Sequence, residues 1–317
     1  MRNVWIIALS ALVIAGCKKN DPTPTKKKTQ ITKKSTSRPA SSRPAKTNTR
    51  AKKGPPSVVA PQGWIDQRVA KAKARLHKTN AGKLIWQAIE AHGGLKHWFQ
   101  KGALAFHFAY KPLKGRARES LQTIELWSVK AHHVLTANKD VTFGWDGKQA
   151  WLHPKDAKTK LRIRFWSLTP FYFVGVPFVF ADPGIILKQL GPITFEGKTY
   201  DQVKVTYKPG TGDAPDDFYV VYIEKKTKRV GGVRYIVSYP GFFPKGKHSP
   251  EKFMAYDGQQ DIDGIKFPKT FRTFKWNKKK PGKLVTRSYM TKVSFRPTLQ
   301  PSFFVPPKQA KLLKALK

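Results

Sequence analysis

Residues 141–153 read VTFGWDGKQAWLH, two short runs rich in aromatic and β-branched residues joined by Asp146-Gly147. Such a dipeptide between two apolar runs is a hairpin signal, because glycine accepts the positive φ that a tight two-residue turn needs. The same grammar recurs along the chain. Asp263-Gly264 joins GQQDI to IKFPKTFRTFKW, and Pro281-Gly282 precedes LVTRSYMTKVSF and reads as another turn. Period-two alternation accompanies these turns in Leu104, Phe106, Phe108 and Tyr110, in Val203, Val205 and Tyr207, in Tyr219, Val221 and Ile223, and in Tyr235, Val237 and Tyr239. Many strands joined by hairpins, without strand-helix-strand alternation, predict an α+β fold built on a strongly curved antiparallel sheet, a half-barrel with a few covering helices.

The helices concentrate before the first strand. Trp64 to Lys78 reads as a basic surface helix, and a second helix starts at Asn80 as N-cap, carries the stripe Leu84, Ile85, Ala88 and Ile89, and ends at Gly93-Gly94. A further short helix is expected to begin at Asp182-Pro183, and PPKQAKLLKALK at 306–317, with Leu312, Leu313 and Leu316 at helical spacing among Lys311, Lys314 and Lys317, is expected to be a short basic amphipathic end whose leucines either dock on the sheet edge or meet a membrane surface.

The chain has 317 residues, 61 Lys plus Arg against 19 Asp plus Glu, a formal net charge of +42 and one cysteine. One cysteine excludes an internal disulfide and a Cys-rich zinc site. Residues 18–60 hold 13 Lys or Arg, one acid, twelve Ser or Thr, six Pro and no aromatic, a composition that cannot build a core and reads as a disordered basic tether. The leader MRNVWIIALSALVIAGC has one basic residue and an apolar run from Val4 to Ala15, too short to span a bilayer and suited to a signal peptide. Its end, Ile14, Ala15, Gly16 and Cys17, resembles the lipobox of bacterial lipoproteins. That resemblance implies cleavage before Cys17 and lipidation of its thiol. Lys18, in the place where an Asp retains many such proteins in the inner membrane, implies the outer membrane. Three segments follow: signal peptide 1–16, lipidated Cys17 with its tether to 60, and one β-rich domain over 61–317.

Export makes nucleic acid an improbable counterpart of the basic excess. Membrane through the anchor, and anionic lipid, lipopolysaccharide or cell-wall polymer at the surface, are the expected partners, placing the protein in the cell envelope.

Within the domain, AIEAHGGLKHWF, VTFGWDGKQAWL, FVFADPGIIL, GKTYDQVKVTY, TGDAPDDFYVVYI and IDGIKFPKTF resemble an uncharacterised family of bacterial exported proteins and lipoproteins. The wider architecture resembles the LolA and LolB lipoprotein-carrier fold, in which a curved antiparallel sheet cups a hydrophobic cavity. On that resemblance, SFFVPP at 302–307 would be the closing strand.

The chemistry-bearing candidates are few. The segment 163–187, IRFWSLTPFYFVGVPFVFADPGIIL, is crowded with rings. Phe165, Trp166, Phe171, Phe173 and Phe178, with Trp151, are the expected lining of a cavity for a lipid or other apolar ligand, and the same rings could instead fill a core. His92 ends a helix and could cap it or meet a ligand. His132 and His133, adjacent in a strand, point to opposite faces and cannot chelate together simply. Asp213, Asp216 and Asp217 form an acidic loop that could hold a cation or make turn and ion-pair contacts. No GxSxG, HExxH, Walker or CxxC motif is present, and no cofactor or catalytic set is expected. Two functions stay open ahead of a third, a hydrolase that would use His92 and nearby acids. One is an anchored module that binds an apolar ligand on the concave face, with a basic rim for an anionic headgroup. The other is an envelope interaction protein with a filled core.

Overall fold

A computed structural model describes residues 57–313. The expected signal peptide, Cys17, the tether to residue 56 and Lys314 to Lys317 lie outside the described residues. Helices α1 (Gln62–Leu76), α2 (Asn80–Ala91) and α3 (Leu95–Gln100) precede strands β1 (Ala103–Pro112), β2 (Arg118–Glu125), β3 (Ala131–Leu135), β4 (Thr142–Trp145) and β5 (Ala150–His153). Two one-turn helices, α4 (Ile163–Trp166) and α5 (Thr169–Val174), and a 3-10 turn at Phe178–Ala181 follow. Then come β6 (Ile185–Phe195), β7 (Lys198–Tyr207), β8 (Tyr219–Glu224), β9 (Val230–Tyr235), β10 (Lys252–Ile262), β11 (Ile265–Asn277) and β12 (Lys280–Phe295), a 3-10 turn at Pro301–Phe304, and β13 (Lys311–Leu313).

All thirteen strands join one sheet in the order β13-β5-β4-β3-β2-β1-β12-β11-β10-β9-β8-β7-β6. Every named strand pairing is antiparallel. The sheet is open and strongly curved. Eight strands lie between β4 and β7 in that order, a span of roughly 40 Å if flat at ~4.8 Å per strand. Yet the single turn of α4 and the Ser167 that caps it touch both sides: the Ser167 hydroxyl donates to the Gly144 carbonyl of β4 at 3.1 Å, and Arg164 pairs with Asp213 in the β7–β8 loop at 2.9 Å. Only a sheet curled around its helices permits both contacts.

Alternation builds the concave core. Leu104, Phe106 and Phe108 of β1, Val203 and Val205 of β7, Tyr219, Val221 and Ile223 of β8 and Phe267 and Phe271 of β11 all enter one apolar cluster with Ile85, Ala88 and Ile89 of α2. The convex side of β8 and β10 is buried too: Val220, Tyr222, Phe253 and Ala255 pack under Phe195, which lies 4.9 Å from Phe253. A bulge between Leu190 and Ile193 bends the β6–β7 hairpin, and Arg272 of β11 hydrogen-bonds its tip at Glu196.

Several expectations differ locally. The cap of α2 is Thr79, whose hydroxyl accepts from the Gly82 N–H at 3.0 Å; Asn80 is already helical. The β11–β12 turn uses Lys278 and Lys279, both at positive φ, so Pro281 and Gly282 lie inside β12. Asp182 ends a 3-10 turn instead of starting a helix, because Arg68 and Arg75 of α1 grip that turn's C-terminal end through the Ala181 carbonyl and the Asp182 carboxylate. The segment expected to close the sheet as a strand, SFFVPP, starts with the 3-10 turn that buries Phe304, and the closing edge is 311–313, paired to β5 as a strand where a helix was expected.

Candidate ligand-binding cavity

The one-turn helices α4 and α5 cannot cover the concave face as a long helix would. Between them and the strands lies an open, mostly apolar cavity of about 220 Å³. Its floor is built by register. Tyr219 of β8 pairs with Tyr235 of β9, which pairs with Lys252 of β10, so all three point to the concave side. Phe108 and Tyr110 of β1, Arg118 of β2 and Met254 of β10 complete the strand wall. The roof is Phe165, Trp166 and Phe173, with Tyr239 and Phe242 from the segment after β9.

Polar ties hold the roof. His133, fully buried on β3, binds the Ser167 carbonyl through Nε2 at 3.0 Å and Ser120 through Nδ1 at 3.3 Å. Burial pushes its imidazole down to about 3, so it stays neutral. Arg164 makes a two-pronged contact with Asp213, 2.9 Å on each arm, and the Tyr256 hydroxyl donates to the Phe173 carbonyl at 2.7 Å. Behind the roof the Tyr172 and Tyr207 hydroxyls are hydrogen-bonded to each other.

The structure divides the expected lining residues. Phe165, Trp166 and Phe173 line the cavity. Phe171 and Phe178 turn the other way and stack on Trp98 of α3, with centroids at 6.2 and 4.3 Å. Trp151 is fully buried on the opposite face of the sheet, against His132 and Gly144. His92 lies apart from the cavity, and both its ring nitrogens are spent within the fold: Nδ1 meets the Lys266 carbonyl at 2.9 Å and Nε2 accepts from the Val230 N–H at 3.1 Å. Burial pushes it down to about 4, and it acts as a strut between α2 and two strands. His132 and His133 do face opposite sides, His132 lying against Trp151 and Phe303.

The acidic loop separates as well. Asp213 is the partner of Arg164, and Asp217 is buried and accepts from the Ser238 N–H and hydroxyl at 2.6 and 2.8 Å, while Asp216 is exposed. Burial raises Asp217 to about 6. Among the described residues no group of three His, Cys, Asp or Glu side chains is placed to hold a metal ion.

Sequence reading missed Arg118, Lys252 and Met254 as wall residues. Lys252 opens the β10 alternation and becomes visible as an inward residue only once its pairing to Tyr235 is known.

Fold and cavity together define an α+β protein with an open, curved antiparallel sheet around an aromatic pocket. The chain belongs to a family of unknown function, DUF6503, whose match covers residues 120–292. Among solved structures it is similar to a LolA superfamily protein from Nitrosomonas europaea, at 11% identity over 72% of this chain and 98% of that one, with a TM-score of 0.48. It is also similar to a DUF1329 family protein from Desulfovibrio piger, at 12% identity over 71% and 97% of the two chains and a TM-score of 0.49. A putative outer membrane lipoprotein-sorting protein domain from Vibrio parahaemolyticus gives 12% identity, the same coverages and 0.46. These are likenesses of fold. No curated protein matches the sequence.

Proposed function

We propose that this protein is a lipid-anchored cell-envelope module that holds an apolar, lipid-like ligand in the concave cavity. The observation that carries the reading is the aromatic cavity itself. A dry apolar cavity of ~150 Å³ accepts a benzene-sized guest, and this one is larger, open and walled by Phe108, Trp166, Phe173 and Tyr219. The leader, Cys17 and the basic tether supply the anchor and the reach from the membrane.

The test is mass spectrometry of organic extracts from the full chain after removal of detergent, beside uptake of an apolar fluorophore. A stoichiometric lipid that is lost in Val237→Trp, a cavity-wall change, with the melting transition retained, supports the reading. A chain that carries nothing and takes up no fluorophore returns the protein to the second reading, adhesion through its +42 charge, whose mark is binding to anionic envelope polymer that falls steeply with salt.

A further inference from the structure

The cavity wall is not uniformly apolar. Its cationic residues are Arg118, Arg164 and Lys252, and its carboxylates are Asp213 and Asp217. Asp213 is taken by Arg164, and Asp217 by Ser238. Among the described residues, Lys252 and Arg118 have no carboxylate within ion-pair distance. Arg118 lies over the rings of Tyr110 and Trp166, each centroid 5.3 Å away, which leaves the edge of its guanidinium open to an acceptor. Lys252 sits between the cross-strand neighbours Tyr235 and Lys275, and partial burial pulls its ammonium below the ordinary lysine value with no counter-charge to offset it.

A buried-side cation without a partner, at the wall of a pocket made for a hydrocarbon, is costly in an empty protein and useful in a loaded one. We infer that the ligand is an amphiphile with an anionic head, a carboxylate or phosphate, paired by Lys252 and Arg118 while its chain lies against Trp166, Phe173 and Tyr219. This rests on the apolar-cavity reading and narrows it. The selecting charges are two side chains of the cavity wall, distinct from the many lysines of the surface.

The test is displacement of an apolar fluorophore from the full chain by decanoate, decyl phosphate and decanol, with inorganic phosphate as a head-only control. The two anions should bind at least about tenfold more tightly than the alcohol, the worth of one charge-assisted contact. Lys252→Met and Arg118→Met should each lower the affinity for the two anions by more than that for decanol, and so shrink that preference. The better of the two anions identifies the head. Equal affinity for alcohol and anions in the unchanged protein, or an anion preference that survives both substitutions, overturns the inference and leaves the apolar cavity standing. Inorganic phosphate competing as well as decyl phosphate overturns the amphiphile. Failure of the fluorophore and of all three amphiphiles to bind removes the cavity reading beneath it.

Discussion

Phe173 and Phe178 offer a matched pair that separates packing from binding. Both are buried rings, 8% and 3% exposed. Phe173 meets Tyr235 at 5.0 Å and lines the open cavity beside it, whereas Phe178 stacks on Trp98 at 4.3 Å, nearly parallel, and lines none of it. Truncation of a buried Phe to Ala costs about 3–5 kcal/mol. Phe173→Ala should fall at the low end, about 3 kcal/mol, because its space merges with an existing cavity and one side of the ring already faces a void. Phe178→Ala should cost about 4 kcal/mol, since the lost ring leaves a closed hole against Trp98. For a domain of this size 1 kcal/mol shifts Tm by ~2–4 °C, so losses of about 6–12 °C and 8–16 °C are expected by calorimetry. A ligand at a hundred times its Kd returns about 2.7 kcal/mol. Ligand should therefore stabilise Phe178→Ala by as much as it stabilises the unchanged protein, with the same affinity, while Phe173→Ala should show altered affinity and accept bulkier chains. Equal ligand affinity in the two variants would refute the placement of the binding site, whatever their stabilities.

His92→Phe keeps bulk but leaves the Lys266 carbonyl and the Val230 N–H without their partners, and about 2–4 kcal/mol should be lost in denaturant titration at pH 7. Because His92 is held near 4 in the fold and titrates near 6.5 when unfolded, the native protein should lose stability as pH falls from 6.5 through 4, and this variant should lose less over that window. Glu125 has the opposite sign: burial raises it to about 7 from the ordinary 4.5, so stability is lost as pH rises between those values. Glu125→Gln should then raise Tm at pH 8 by more than at pH 4.5, a difference of up to about 3 kcal/mol. Gly144→Ala should misfold or lose over about 3 kcal/mol, since a Cβ there would stand 1.9 Å from the Ala131 carbonyl and 2.8 Å from the Trp151 ring, while Gly191→Ala, with nothing within 4 Å, should be neutral.

Gly144 also explains why the sequence misled about Trp151. In KQAWLH the largest ring looks like the inward residue, yet Ala150 and Leu152 join the concave core and Trp151 faces outward. Register sets this: Gly144 is paired with Trp151, and its missing side chain leaves room on the convex face for the indole, which His132 then lines. Most of the alternating strands and the Asp-Gly turns were legible because they are local, although the run expected through Val237 and Tyr239 stops as a strand at Tyr235. The turn at Lys278-Lys279 was not, because two lysines at positive φ carry no local signature. Phe171 and Phe173 differ in a similar way. Two residues apart, they would share a face in a strand, but on the turn of α5 they are divided, one toward Trp98 and one toward Tyr235. Ring density pointed to the segment that covers the cavity. It could not assign sides, because the period changes where the segment turns helical.

The same change of period accounts for the existence of the cavity. At the end of the sheet covered by α2, a twelve-residue helix lays Ile85, Ala88 and Ile89 into the core and fills it. At the other end the cover is two helices of four and six residues. One turn presents too little apolar surface to fill a concave sheet, so its attachment depends on polar ties at its margins: His133 and Gly144 to Ser167, Asp213 to Arg164, and Tyr256 to the Phe173 carbonyl. These ties add to the ring contacts at which the roof already rests on the sheet, Phe173 on Tyr235 at 5.0 Å and Trp166 on Tyr110 at 5.6 Å. The short cover therefore leaves space between its points of attachment, and the aromatic rings on both sides of it give that space its chemistry.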